Sequence, residues 1–272
     1  MNNTTIIKPG KNLLKFDIHE IIQYKDLLYF LVWRNIKVRY KQTVLGVAWA
    51  VLQPFLQMVV FSIFFGRLVG ISSGNIPYPI FVYSALLPWT FFANSLNSCN
   101  NSFINNAGLI RKVYLPRLII PISSIGSVLL DFLIAFSVLF GIMFYFHFAL
   151  TLNLLMIFPL LILTIFTALA IGIILSALSV QYRDFRYIVP FFIQLGLFIT
   201  PVIYPPSIVS SRFEFLLNLN PMAGIISGFR SAILSQPFDW NSILISGGIS
   251  SVIFICGLLY FNRVERNFAD II

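Results

Sequence analysis

Charge is scarce in this chain. Charged residues fill 10% of its 272 positions, Asp and Glu together number nine, and there are two His and two Cys. So little charge cannot coat a soluble domain of this length. Cys99 and Cys256 have no metal-type spacing. No phosphate-cradling GxxxxGK[ST] loop, HExxH pair, nucleophile elbow or Asp-x-Asp pair occurs, so a catalytic site is poorly supplied and any ATP hydrolysis belongs to another chain. The alternation of a membrane barrel strand is missing, as is the internal repeat of many secondary transporters. The first 26 residues have no apolar h-region, which speaks against a cleavable signal peptide.

What is present is apolar. Hydrophobic residues make up 58% of the chain and mean hydropathy is +0.90. Residues 45–65 form an uncharged run long enough for the roughly 20 needed to cross a hydrocarbon core. Further spans are expected over 80–103, 118–146, 154–180, 187–204 and 243–261, the second interrupted by Asn residues that must be sheltered or wet. Lys and Arg set the orientation. Lys8, Lys11, Lys15, Lys25, Arg34, Lys37, Arg39 and Lys41 precede the first run, and Arg111, Lys112, Arg117, Arg183, Arg186, Arg263 and Arg266 fall on the same side of alternating loops. Only Arg67, Arg212 and Arg230 fall on the other side, which places both termini in the cytoplasm. The sequence pI of about 9.7 then reflects anionic lipid rather than nucleic acid. The expectation is an all-α integral membrane protein of six transmembrane helices in one domain over 1–272. Residues 1–44 form a cytoplasmic N-terminus, 45–261 the membrane region and 262–272 a cytoplasmic tail.

Three segments outside the spans are informative. Residues 27–41 place Arg34, Lys37 and Lys41 on one helical face, with Leu27, Leu28, Leu31, Trp33 and Val38 available to lipid, and predict an amphipathic interfacial helix. Its basic face is either a headgroup anchor or a site for an anionic phosphate. Residues 106–116 mix Leu109, Ile110, Val113 and Tyr114 with Arg111 and Lys112, as a short cytoplasmic helix docking onto a soluble partner would. Residues 205–241 carry two apolar pieces too short to span, separated by Asn220 and Pro221, and predict a pair of re-entrant or interfacial helices on the outer side.

Polar groups within spans are costly unless paired or hydrated. Trp49, Gln53 and Gln57 share a face of the first span. Asn94, Asn97 and Asn101 share one on the second, and Phe191, Gln194 and Phe198 one on the fifth. Together they suggest a common lumen whose amides and aromatic rings suit a sugar polymer; singly, each amide could as well bond between helices. Asp131 has no second acid or His on its helix and reads as a paired structural acid rather than a proton relay. The spacings Gly66/Gly70 and Gly224/Gly228 match a packing motif that arises often by chance and carry little weight. An ion-coupled transporter would need paired titratable groups, and a membrane glycosyltransferase clustered acids or His near one interface; neither is found.

Four strings now stand out: LVWRNIKVRYKQTVLGVAWAVLQP at 31–54, LIRKVYLPR at 109–117, VQYRDFRYIVP at 180–190 and LNPMAGIISGFR at 219–230. In this order they resemble the permeases of type-2 ABC exporters for polysaccharides, a family that includes Wzm-type O-antigen, capsule and teichoic acid exporters. The resemblance implies a homodimer whose two six-helix halves enclose a polymer channel. It also implies two copies of a separate ATPase that binds ATP and Mg, this chain itself carrying no cofactor. Leu109, Ile110, Arg111, Lys112, Val113 and Tyr114 would be the coupling helix seated in the ATPase, with Tyr182, Arg183 and Asp184 a second contact. Arg34, Lys37, Arg39 and Lys41 would gate the entry of a lipid pyrophosphate, and Asn220 and Pro221 would lie in the outer gate. The substrate implied is an undecaprenyl-type lipid-linked polysaccharide, O-antigen first, carried across the bacterial inner membrane.

Overall fold

The computed structural model describes residues 22–41, 46–74, 76–113 and 115–265. Leu45, Tyr114, Arg266 and the basic residues before position 22 lie outside them. Among the described residues the chain is helical, with no strand. Helix α1 spans Lys25–Tyr40, and α2 spans Gly46–Phe61 before loosening into a π-helical turn at Ser62–Leu68. Next come α3 at Tyr78–Asn100, two single-turn helices, α4 at Ser102–Asn105 and α5 at Ala107–Ile110, and the long α6 at Ile119–Tyr145. A 3-10 turn at Leu152–Met156 leads into α7 at Ile157–Gln181. Helix α8 covers Phe185–Ile199, α9 Ser211–Asn218, α10 Pro221–Leu234 and α11 Trp240–Val264.

Four stretches are long and apolar enough to cross a membrane: Gly46–Leu68, Ile119–Tyr145, Leu152–Gln181 and Trp240–Val264. Two expected spans depart from that standard for separate reasons. Helix α3 has 23 residues but carries three Asn among them, with a fourth, Asn101, capping its end. Helix α8 stops after 15, because the chain turns extended at Thr200 and stays irregular to Pro205.

The polar helix is the central one. α3 is buried along almost its whole length and packs against α2, α6, α7, α8 and α10. A helix with Ser84, Ser95, Asn94, Asn97 and Asn100 is expensive against lipid and inexpensive among helices that can bond it. Tyr83 donates to the Ala135 carbonyl of α6 at 2.8 Å, and Asn100 Nδ2 donates to the Phe185 carbonyl at 3.3 Å. Around this axis, Tyr83, Leu86, Phe91 and Phe132 build the main apolar core.

Small residues set the remaining contacts. A Cβ added at Gly224 would lie 2.1 Å from the Ser242 backbone oxygen, and one at Gly228 would lie 2.8 Å from Leu160 Cδ2. The second glycine pair, which the sequence gives little weight, is therefore where α10 meets α11 and α7. The break between α9 and α10 falls at the expected dipeptide. Pro221 occupies the first turn, where a missing N–H costs nothing, and Asn220 Oδ1 accepts the Met222 N–H at 3.0 Å.

Because the Gly224 contact is with backbone, it cannot relax by a rotamer change. Gly224→Ala should destabilise the purified protein by about 1–3 kcal/mol, the usual range for overpacking. Gly248→Ala, with open space around it, should be neutral or mildly stabilising. Thermal unfolding of both variants in the same detergent checks this.

Candidate functional site

One end of the bundle gathers most of the sequence-predicted residues. Phe103, Leu115, Leu118, Val180, Leu258 and Phe261 form a second apolar cluster, against which Leu27, Leu109 and Ile110 pack. The start of α1, the α4–α5 segment and the ends of α7 and α11 therefore share one end. Tyr260 donates to Gln181 Oε1 at 3.0 Å, and Arg117 lies 3.8 Å from Glu265. Arg111, Lys112 and Val113 are exposed there, and so are Tyr182, Arg183 and Asp184. Of the apolar side chains in the 109–113 segment, Val113 stands out at 49% exposure, whereas Leu109 and Ile110 are turned half inward.

Helix α1 departs from its expected orientation. Leu31, assigned to lipid, is 1% exposed, and α1 packs along α6, where Gly126 makes room for Val32. Arg34, Lys37 and Lys41 line one groove, as their spacing predicts, whereas Arg39 turns inward. Arg34 donates to Asn106 Oδ1 and, at 3.1 Å, to Asn35, which ties α1 to the turn where α5 begins. Arg39 pairs with Asp131 of α6 and reaches Ser98 of α3 at 3.4 Å. Tyr40 donates to the other Asp131 oxygen; burial first, then that bond, pushes its phenol well above the ordinary range, so it remains a neutral donor. Asp131 is thus the paired acid the sequence suggests. Lys37 and Lys41 stay on the outer side with Phe30, Trp33 and Val38 around a groove of about 370 Å³, Lys37 lying 5.3 Å from the centroid of the Trp33 ring.

The amide faces separate. Trp49, Gln53 and Asn94 line one cavity of about 310 Å³ between α2, α3 and α6, together with Arg39, Tyr40, Thr90 and Asp131. Gln57 and Asn97 lie outside that lining, and Asn97 Oδ1 is enclosed without a partner among the described residues. Asn101 bonds back to the Asn97 carbonyl at 3.0 Å, as interhelical or intrahelical amides do. Phe191, Gln194 and Phe198 are exposed on α8. Within one chain the fifth-span face meets no lumen, because it points away from the bundle.

At the opposite end, Asn220 Nδ2 donates to Thr200 Oγ1 at 2.8 Å, joining the start of α10 to the break after α8. Arg230, which charge counting assigns to an outer loop, is 5% exposed. Its guanidinium donates to the Val202 carbonyl at 2.6 Å and the Tyr204 carbonyl at 3.4 Å, and stacks 3.9 Å from the Phe81 ring centroid. Tyr78 donates to the Ile203 carbonyl at 2.6 Å. The unwound end of α8 is therefore held by side-chain donors from α3 and α10. The signal was a single Arg inside an apolar helix, which needs internal partners.

Among the described residues no cluster of three metal-ligating side chains occurs. The ABC-2 type transporter model matches residues 26–234, more than half of the chain. The chain belongs to the ABC-2 type transporter family. Relatives of this ABC-2 transporter include the O-antigen export system permease protein RfbA of Klebsiella pneumoniae, 30% identical over 249 residues, covering 91% of this chain and 95% of the relative. A protein of the same name from Myxococcus xanthus is 29% identical, covering 93% and 98%. The polysialic acid transport protein KpsM of Escherichia coli is 24% identical, covering 75% and 80%. The match begins within α1 and ends with α10, so the interfacial helix and the buried Arg230 both fall inside the family's domain.

The clamp on Asp131 fixes α1 to this ABC-2 domain. Arg39→Met or Asp131→Leu should each lower thermal stability by about 1–3 kcal/mol, since each strips a partly buried charge of its opposite charge. The double variant should recover part of the loss. Simple additivity in a double-mutant cycle would show the pair to be uncoupled.

Proposed function

We propose that this chain is the permease half of an ATP-driven exporter that carries lipid-linked polysaccharide, O-antigen in the first place, across the bacterial inner membrane. The observation that carries the reading is the exposed, basic end of the bundle. Val113, Arg111 and Lys112 stand in water beside the exposed 182–184 loop, a surface without use to an isolated membrane protein and suited to two ATPase copies that bind ATP and Mg. The names of the relatives above supply the cargo. The relatives described as O-antigen permeases are more similar to this chain and cover more of it than KpsM does, which favours O-antigen over capsule.

The six-crossing reading rests on the same end. Leu27 at the start of α1 and Phe261 near the end of α11 pack into one cluster, so an even number of crossings separates them. The four long stretches together with α3 and α8 satisfy that. The concentration of Lys and Arg at this end supports a cytoplasmic position for it. A channel for the polymer forms between two copies, with Phe191, Gln194 and Phe198 of the exposed α8 face joining Gln57, Asn97 and the α2 face. Lys37 and Lys41, still unclaimed by the bundle, receive the lipid pyrophosphate at the interface, where two compact cations suit a doubly charged group. Asn220 and Pro221, bonded to the α8 break, form part of the outer gate.

Deleting this chain in its host should leave finished glycan inside the cell and bare the surface, measured by glycan fractionation. Normal surface display would overturn the reading. For the ATPase contact, Val113→Asp should lower co-purification of the ATPase tenfold or more while the six helices persist. Burying a Val side chain is worth about 1.5–3 kcal/mol. Ile110 is a poorer probe, since its side chain already packs on this chain's own core.

A further inference from the structure

The cavity between α2, α3 and α6 has a chemistry that the transport reading does not require. Gln53, Thr90 and Asn94 line it, and among the described residues their side chains make no hydrogen bond. Polar groups left unpaired within a membrane bundle are costly, so they call for water or a ligand. Arg39 and Asp131 pair within its lining, leaving the site without net charge, and the Asp131 carboxylate, bonded among the described residues to Arg39 and Tyr40, can accept about four hydrogen bonds. Trp49, Tyr40 and Phe91 supply aromatic surface, and the apolar floor is Leu87, Val128 and Ala135.

These properties narrow the occupant. A phosphate would meet Asp131 and find its only cation already paired. An acyl chain would leave two amides and a hydroxyl unbonded. A neutral sugar ring satisfies both halves of the lining: its hydroxyls exchange hydrogen bonds with the amides, Thr90 and the carboxylate, while its C–H face lies on an aromatic ring. At about 310 Å³, the space is at the lower limit of small-molecule sites, enough for one or two rings.

We propose that this cavity is a recognition site for a single neutral pyranose, held by Gln53, Thr90, Asn94 and Asp131 against Trp49. The proposal rests on the polysaccharide reading above and adds to it a sugar-reading pocket inside each protomer, separate from the channel between copies. Because Arg39 and Tyr40 belong to α1, an occupied pocket also fixes the end of the interfacial helix whose outer groove faces the membrane.

The test uses the full chain in nanodiscs, with saturation-transfer NMR against a panel of methyl glycosides of glucose, galactose, mannose and N-acetylglucosamine at millimolar concentration. At least one neutral glycoside should receive transfer from the wild type. The Gln53→Leu/Asn94→Leu variant should lose it, Trp49→Leu should weaken it tenfold or more, and Trp49→Phe should retain it. Inorganic phosphate should not compete. Unfolding temperature and elution volume equal to wild type identify variants that remain folded, and Asp131→Asn, which preserves shape, serves if the double variant does not. Transfer unchanged by these substitutions, displacement by phosphate, no transfer from any glycoside, or a co-purified acyl chain in the cavity would each overturn the proposal. Surface display in a complemented deletion strain separates the two readings. If deletion leaves display intact, the export function falls. If deletion abolishes display and the pocket variants restore it fully, only the sugar pocket falls.

Discussion

Within hydrocarbon, every polar group must find its partner inside the protein, and the arrangement of this molecule follows from where its amides and hydroxyls are concentrated. They are concentrated in α3. A helix carrying three Asn and several Ser cannot face lipid at low cost, so the other helices are layered around it, with α6, α7, α10 and α2 all packed against it. The longest and most apolar helices take the periphery because they alone are indifferent to being there. The result is an inversion of the soluble rule, with the least apolar of the long helices at the centre.

The same demand explains the two ends. At the basic end α1 cannot lie freely on the membrane surface, because Asp131 in α6 needs a cation and Arg39 and Tyr40 are the donors within reach. Once Arg39 is turned in, helical geometry turns Leu31 and Val32 in with it and leaves Lys37, Lys41 and Trp33 outside. The interfacial helix thus presents two chemistries, one to the protein and one to the membrane. At the other end α8 loses its helical form after 15 residues. Its freed carbonyls at Val202, Ile203 and Tyr204 are taken up by Arg230 and Tyr78, a use of Arg that a point-charge Lys would match poorly.

Much was legible beforehand where a physical signal was local. The run at 45–65, the break at Asn220 and Pro221, the helix before the first span and the isolation of Asp131 each depend on neighbours in sequence, through length, a missing N–H, periodicity or the absence of a second acid. The 107–113 segment was legible as a short element, but the division of its apolar side chains was not. Ile110 turns inward because it packs on a cluster that includes Val180 and Phe261, both distant in sequence. The glycine pair at 224 and 228 looked like chance because its partners, Ser242 and Leu160, lie on other helices. Arg230 was miscast because counting charges by alternating loops presumes that residues between spans are wet, whereas α10 dips into the bundle.

By itself the sequence determined that this is a helical membrane protein without its own ATPase motif, with its basic residues gathered toward one side and its polar amides on particular helices. Those properties are set by composition and by the fixed pitch of a helix, which decides which residues share a face. Only the tertiary structure decided which faces meet. It brought Gln53, Asn94, Asp131 and Arg39 to one cavity, left Gln194 outside it, and turned Arg39 inward while Lys37 and Lys41 line an outer groove. Rotation of each helix about its own axis is settled by contacts distant in sequence, and a single strand of residues carries no record of that angle.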